Sequence, residues 1–143
     1  MMETTPRLQK ALTYAKESVS RLGHSHVSSA HLILGLLTLS GGVADGLLRK
    51  AGLSVESVEG FLSSRGTSAG ATALPDGIPL GSLALQALER AEAEARARQN
   101  TYLGIEHLLL GILAEERGEA TDLFASVHVD RKRMARAIQE EIE

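Results

Sequence analysis

The chain has 143 residues, with 15 Lys and Arg against 18 Asp and Glu, a net charge of −3, and no Cys. That length suits one domain with a real core, and the absence of Cys excludes disulfides, thiolate metal sites and cysteine nucleophiles. The charge balance lacks the basic footprint of a nucleic-acid binder, and two Tyr, two Phe and no Trp leave few stacking platforms for single strands.

Read in order, the chain is helical almost throughout. The polar start "MMETTPRLQ" lacks the order of a signal peptide, and no apolar run approaches the roughly 18 residues of a membrane span, so a cytoplasmic protein without a membrane partner is expected. Thr5-Pro6 reads as an N-cap followed by proline at the first helical position. Leu8, Leu12, Ala15, Val19 and Leu22 then mark one face until Gly23. A second helix starts at Ser28 or Ser29 and runs through Leu37, apolar nearly all round and so predicted to be buried. Gly41-Gly42 breaks it, a short helix follows from Val43 to Ala51, and another from Ser54 to about Ser64. The Gly-, Ser-, Thr- and Pro-rich stretch between the halves predicts a surface linker at 65–80. The same four-helix order then repeats: "LALQALERAEAEARARQ", "EHLLLGILAE", "EATDLFASV", and "RKRMARAIQEEI" capped by Asp130.

The repetition keeps its spacing throughout. Residues 8–62 align with 84–138 at a constant shift of 76 without a gap, and 11 of the 55 pairs are identical. Val27/Leu103, Ile33/Leu109, Leu48/Phe124, Val58/Met134 and Leu62/Ile138 exchange one apolar side chain for another, which is how a core survives drift. The expected fold is all-α: two tandem four-helix repeats, eight helices, packed as one pseudo-twofold domain over residues 1–143, with repeat one at 5–64 and repeat two at 81–143. Gly35 and Gly111, each inside a buried helix, predict the close approach of another helix.

Catalytic patterns fail on context. "GTSAG" at 66–70 matches G-x-S-x-G but sits in the linker without the strand that a nucleophile elbow needs. None of the four lysines, at 10, 16, 50 and 132, follows a glycine as a Walker lysine does. The mixed charges of "ERAEAEARAR" read as a solvated helix face. His31 and His107 head equivalent apolar helices and read as buried histidines that hydrogen-bond across a helix junction. His24-x-His26, with Asn100 and Tyr102 as counterparts, reads as a loop rather than a metal pair. No catalytic residue, metal ligand or cofactor site is expected.

The decamers "SSAHLILGLL" and "GIEHLLLGIL", the Thr-Pro-Arg opening and the two four-helix halves resemble the N-terminal domain of Clp ATPases, closest to the ClpC type. The resemblance implies a non-catalytic domain that docks protein substrates or adaptor proteins in front of an ATP-driven unfoldase. The alternative is a free-standing accessory that packs on Clp ATPase or protease subunits. It also implies a pocket for phosphorylated arginine in each half, where the start of the first helix meets an acid just before the motif histidine. A helix N-terminus suits phosphate and a carboxylate suits guanidinium. On that basis Thr5, Arg7, Ala30, Leu80, Gly81 and Glu106 are the candidate partner-binding positions. Pairing within each half leaves Thr5 facing Ala30 and Gly81 facing Glu106, two half-equipped sites, and predicts weak or no phosphoarginine binding.

Overall fold

The structure, a computed structural model, describes residues 3–65 and 80–142. Nearly all of the expected linker therefore lies outside the described residues. Two short strands, β1 (Glu3–Thr4) and β2 (Tyr102–Leu103), accompany eight helices among the described residues. The helices are α1 (Pro6–Leu22), α2 (Ser29–Leu39), α3 (Val43–Lys50), α4 (Val55–Arg65), α5 (Ser82–Ala97), α6 (Ile105–Leu113), α7 (Glu119–Ser126) and α8 (Arg131–Ile142).

Local chemistry sets the helix ends. The Thr5 hydroxyl accepts a hydrogen bond from the Leu8 amide at 3.1 Å, Pro6 opens α1, and Gly23 closes it in the left-handed region at φ 73°. Asp130 caps α8 by accepting from the Arg133 amide at 3.1 Å. Every residue of α2 from Ser29 to Leu37 is buried, and α6 is nearly as deeply placed. These two helices are the centre of the core. Each is covered by the helix before it at a glycine: a Cβ on Gly35 would collide with the carbonyl of Ala11, and one on Gly111 with the carbonyl of Ala87 and the amide of Ala91. The glycines let the backbones of α1 and α2, and of α5 and α6, come together.

The halves are interlocked rather than set side by side. β1 pairs in parallel with β2, Glu3 opposite Tyr102 and Thr4 opposite Leu103, and the Thr5 amide donates to the Leu103 carbonyl at 3.0 Å. At the equivalent place Leu80 bridges to Val27, and the Gly81 amide donates to the Val27 carbonyl at 2.8 Å. The two arrangements correspond under the shift of 76, and in both the segment leading into one half's first helix pairs with the other half. The Ser29 hydroxyl also crosses over, accepting from the Ala120 amide at 3.0 Å in the first turn of α7. Helices alone were expected from the sequence. Segments of two residues are too short to show the alternation that marks a strand, which is why these pairings left no trace in it.

Candidate functional site

Each motif histidine holds the entrance of its helix. The Ser28 amide donates to His31 Nδ1 at 2.9 Å while the Ser28 hydroxyl accepts from the His31 amide at 3.3 Å, a capping box with imidazole in the usual place of glutamate. Because Nδ1 accepts, the ring proton is on Nε2, which donates to His24 Nδ1 at 2.8 Å. In the second half the Gly104 amide donates to His107 Nδ1 at 3.0 Å, and His107 Nε2 donates to the Asn100 side-chain oxygen at 2.9 Å. His24 and Asn100 are shift equivalents, so the loop histidine is a structural partner. His24 Nδ1 and His31 Nε2 are spent on each other and hold no metal between them. Burial, and then the neighbouring His24 and His26, push His31 down from 6.5 to about 3. Burial also lowers His24 and His107, the latter against the upward pull of Glu106. All three rings are therefore neutral near pH 7.

Around these histidines lie two openings, and the crossed strands decide what meets at each. A point one bond from the Gly104 backbone, where a Cβ would stand, lies 3.7 Å from Thr5 Cγ2, 3.4 Å from Glu106 Oε1 and 3.6 Å from the Tyr102 ring. The first opening thus brings Thr5 of one half to Glu106 of the other. Tyr102, 43% exposed, forms its wall and leans on the His107 ring at 5.5 Å. The second opening joins Gly81 to the loop of the first half. His26 Cδ2 lies 2.6 Å from where a Gly81 Cβ would be, so the ring fills the space of the missing side chain. A small cavity there, about 90 Å³, is lined by His26, Ser28, Gly81, Ser82 and Glu119 among others.

The expected pairing of Thr5 with position 30 and of Gly81 with Glu106 does not occur, because the leading segments cross. Thr5 and Glu106 meet in one opening. Gly81 meets the half that carries Ala30, which is fully buried, so the second opening has neither hydroxyl nor carboxylate at those places. Arg7 lies beside the first opening, donating to the Ser40 carbonyl at 2.9 Å, and Leu80 is the bridge residue of the second. Tyr102 and His26 were not singled out from the sequence as opening residues. Their equivalence under the shift, a phenol ring in one loop and an imidazole in the matching one, is the signal that marks them. The G-x-S-x-G match at 66–70 lies outside the described residues.

Comparison with known proteins agrees with the repeat and the all-helical fold. The family model of the Clp repeat (R) N-terminal domain matches residues 3–127 and 80–143. The chain belongs to that family. As a Clp N-domain it is 31% identical over 140 residues to a probable ATP-dependent Clp protease ATP-binding subunit of Chlamydia pneumoniae, covering 97% of the chain and 16% of that protein. It is 33% identical over 128 residues to the negative regulator of genetic competence ClpC/MecB of Bacillus subtilis strain 168, covering 87% of the chain and 15% of the relative. The chain thus spans about a sixth of the length of these relatives. Among solved structures, the N-terminal domain of the chaperone ClpD from Arabidopsis thaliana superposes with a TM-score of 0.82 at 18% identity, covering 99% of this chain and 98% of that one. The Hsp104 N-terminal domain from Candida albicans follows at 0.77 and 17%, covering 95% and 89%. At these identities the structures speak for the fold. Among the described residues no single helix of the Clp N-domain is long and apolar enough to cross a membrane.

Proposed function

We propose that this Clp N-domain docks protein substrates or adaptor proteins for a Clp ATPase in the cytoplasm, does no chemistry itself, and does its side-chain recognition at one opening rather than two. The observation that carries the reading is the meeting of Thr5 and Glu106 across the crossed strands. There the N-terminal end of α1 favours an anion, the Glu106 carboxylate suits a guanidinium, and the Tyr102 face flanks them. Phosphorylated arginine carries both charges. At the second opening Gly81 gives α5 no side-chain cap, and no carboxylate stands in the place of Glu106. In support of a non-catalytic role, the buried rings of His24, His31 and His107 are committed to capping the entrances of α2 and α6 and to their side-chain partners, His24 with His31 and His107 with Asn100.

Calorimetric titration of free phosphoarginine tests this. One site per chain is expected, weakened about tenfold or more by Glu106→Ala, as loss of a charge-assisted bond requires. Two equal sites, or a titration indifferent to Glu106→Ala, would refute the single-opening reading. Ala30→Glu is not expected to create a second site, since position 30 is buried and a carboxylate there lacks room and partners.

A further inference from the structure

The start of α8 is the most cationic helix start among the described residues. Arg131, Lys132, Arg133 and Arg136 crowd its first turns, where the positive end of the helix dipole repels cations. The first half shows what the same helix looks like without them: the equivalents in α4 are Val55, Glu56, Ser57 and Gly60. Arg131 is anchored on the Glu115 carbonyl. Lys132, Arg133 and Arg136 have no ion-pair partner among the described residues, and neither does Lys50 at the end of α3.

Two of these cations line a groove of about 510 Å³ between the end of α3 and the start of α8. Lys50 stands on one wall and Arg133 on the other, over an aliphatic floor that includes Leu47, Val129, Met134 and Ala137. The one carboxylate in the lining, Asp130, is engaged in capping α8. On the pseudo-symmetric face the matching positions hold Ser126 and Ser57, so that surface is uncharged at both walls. Cations over an aliphatic floor fit carboxylates carried beside aliphatic side chains. Nucleic acid suits it less, because no Phe, Tyr or Trp lines the groove and the chain as a whole is negative.

We propose that the groove between α3 and α8 is a second docking surface, for an acidic and aliphatic segment of a partner protein. It shares no lining residue with the Thr5–Glu106 opening and does not depend on it. The test is fluorescence anisotropy of a labelled helical peptide carrying glutamates and leucines on one face, titrated with the whole chain. The double variant Lys50→Glu/Arg133→Glu should weaken binding about tenfold or more, and added salt should weaken the wild type. Lys16→Glu, the same kind of charge change on exposed α1, and Glu106→Ala should leave binding intact. A peptide with serine in place of leucine should bind much more weakly. If the charge reversal disturbs the fold by circular dichroism, Lys50→Gln/Arg133→Gln replaces it with the same expected direction. Binding indifferent to both double variants, equal loss with Lys16→Glu, or equal binding of the serine peptide would overturn the proposal. So would tighter binding of single-stranded RNA or anionic lipid vesicles than of the peptide.

Discussion

His31 shows how much one ring can couple to pH. Folded, it is neutral with a pKa near 3; in the open chain it returns to 6.5, so unfolding takes up a proton anywhere between those values. The stability it contributes is complete above pH 6.5 and is lost as pH falls toward 3. His24 and His107, also lowered, act in the same direction. Each tenfold difference in proton affinity between folded and unfolded chain corresponds to about 1.4 kcal/mol, so acidification should cost on the order of a few kcal/mol. Urea midpoints measured from pH 7 down to pH 4 should fall steadily, and a flat profile would contradict the buried neutral pair. The second half supplies a control. Because Asn100 accepts from His107 as His24 accepts from His31, His24→Asn should keep stability at pH 7 within about 1 kcal/mol and reduce its loss in acid. His24→Leu removes the acceptor and should cost about 1–3 kcal/mol at pH 7 in the same denaturation assay.

At the level of helices, the tightest contacts are those at Gly35 and Gly111. Because a methyl group at Gly111 would meet the Ala87 carbonyl and the Ala91 amide, the obstruction is backbone and cannot rotate away. Gly111→Ala should therefore destabilise by about 3 kcal/mol, well beyond what helix propensity would return. An unchanged denaturation midpoint would mean that α5 and α6 can separate without loss. The helix ends offer the opposite experiment. Gly23 closes α1 at φ 73°, whereas its equivalent Gln99 holds φ 60° with a side chain. Gln99→Gly should raise stability by up to about 1 kcal/mol, read as a higher urea midpoint. These elements were legible in advance because caps, glycines and apolar faces act within a few residues of one another. Thr5, Gly23, Asp130 and the all-apolar α2 announce themselves in the sequence. The make-up of the openings did not, because pairing Thr5 with position 30 assumes that each repeat closes on itself. Which half receives a leading segment is decided by contacts between residues far apart in sequence, Thr5 with Leu103 and Gly81 with Val27, that two-residue strands do not advertise.

For the whole molecule, interlocking means that neither half is a unit of folding. Residues 1–65 alone would lose the strand partner of Thr4, the neighbour that completes the first opening, and the acceptor Ser29 would have nothing to cap. Such a fragment should be unfolded or associated by circular dichroism and sedimentation, and mixing it with residues 80–143 should restore the helical signal. A monomeric, cooperatively folded fragment would show that the crossing contributes little. Ser29→Ala in the intact chain should cost about 1 kcal/mol, although its partner Ala120 lies in the other half.

The crossed leading segments also carry information about ancestry. Each contact of Thr5 with Leu103 is answered by one of Gly81 with Val27, the reciprocity that a twofold axis imposes on two copies of one subunit. A single ancestral repeat would have formed this architecture as a homodimer that exchanged its first residues, with two identical openings each built from both subunits. Joining the copies into one chain removed the requirement that they stay alike. One opening now holds a threonine and a glutamate while the other holds neither at the matching places, and because each opening is built from both copies, the difference follows the opening and not the gene segment.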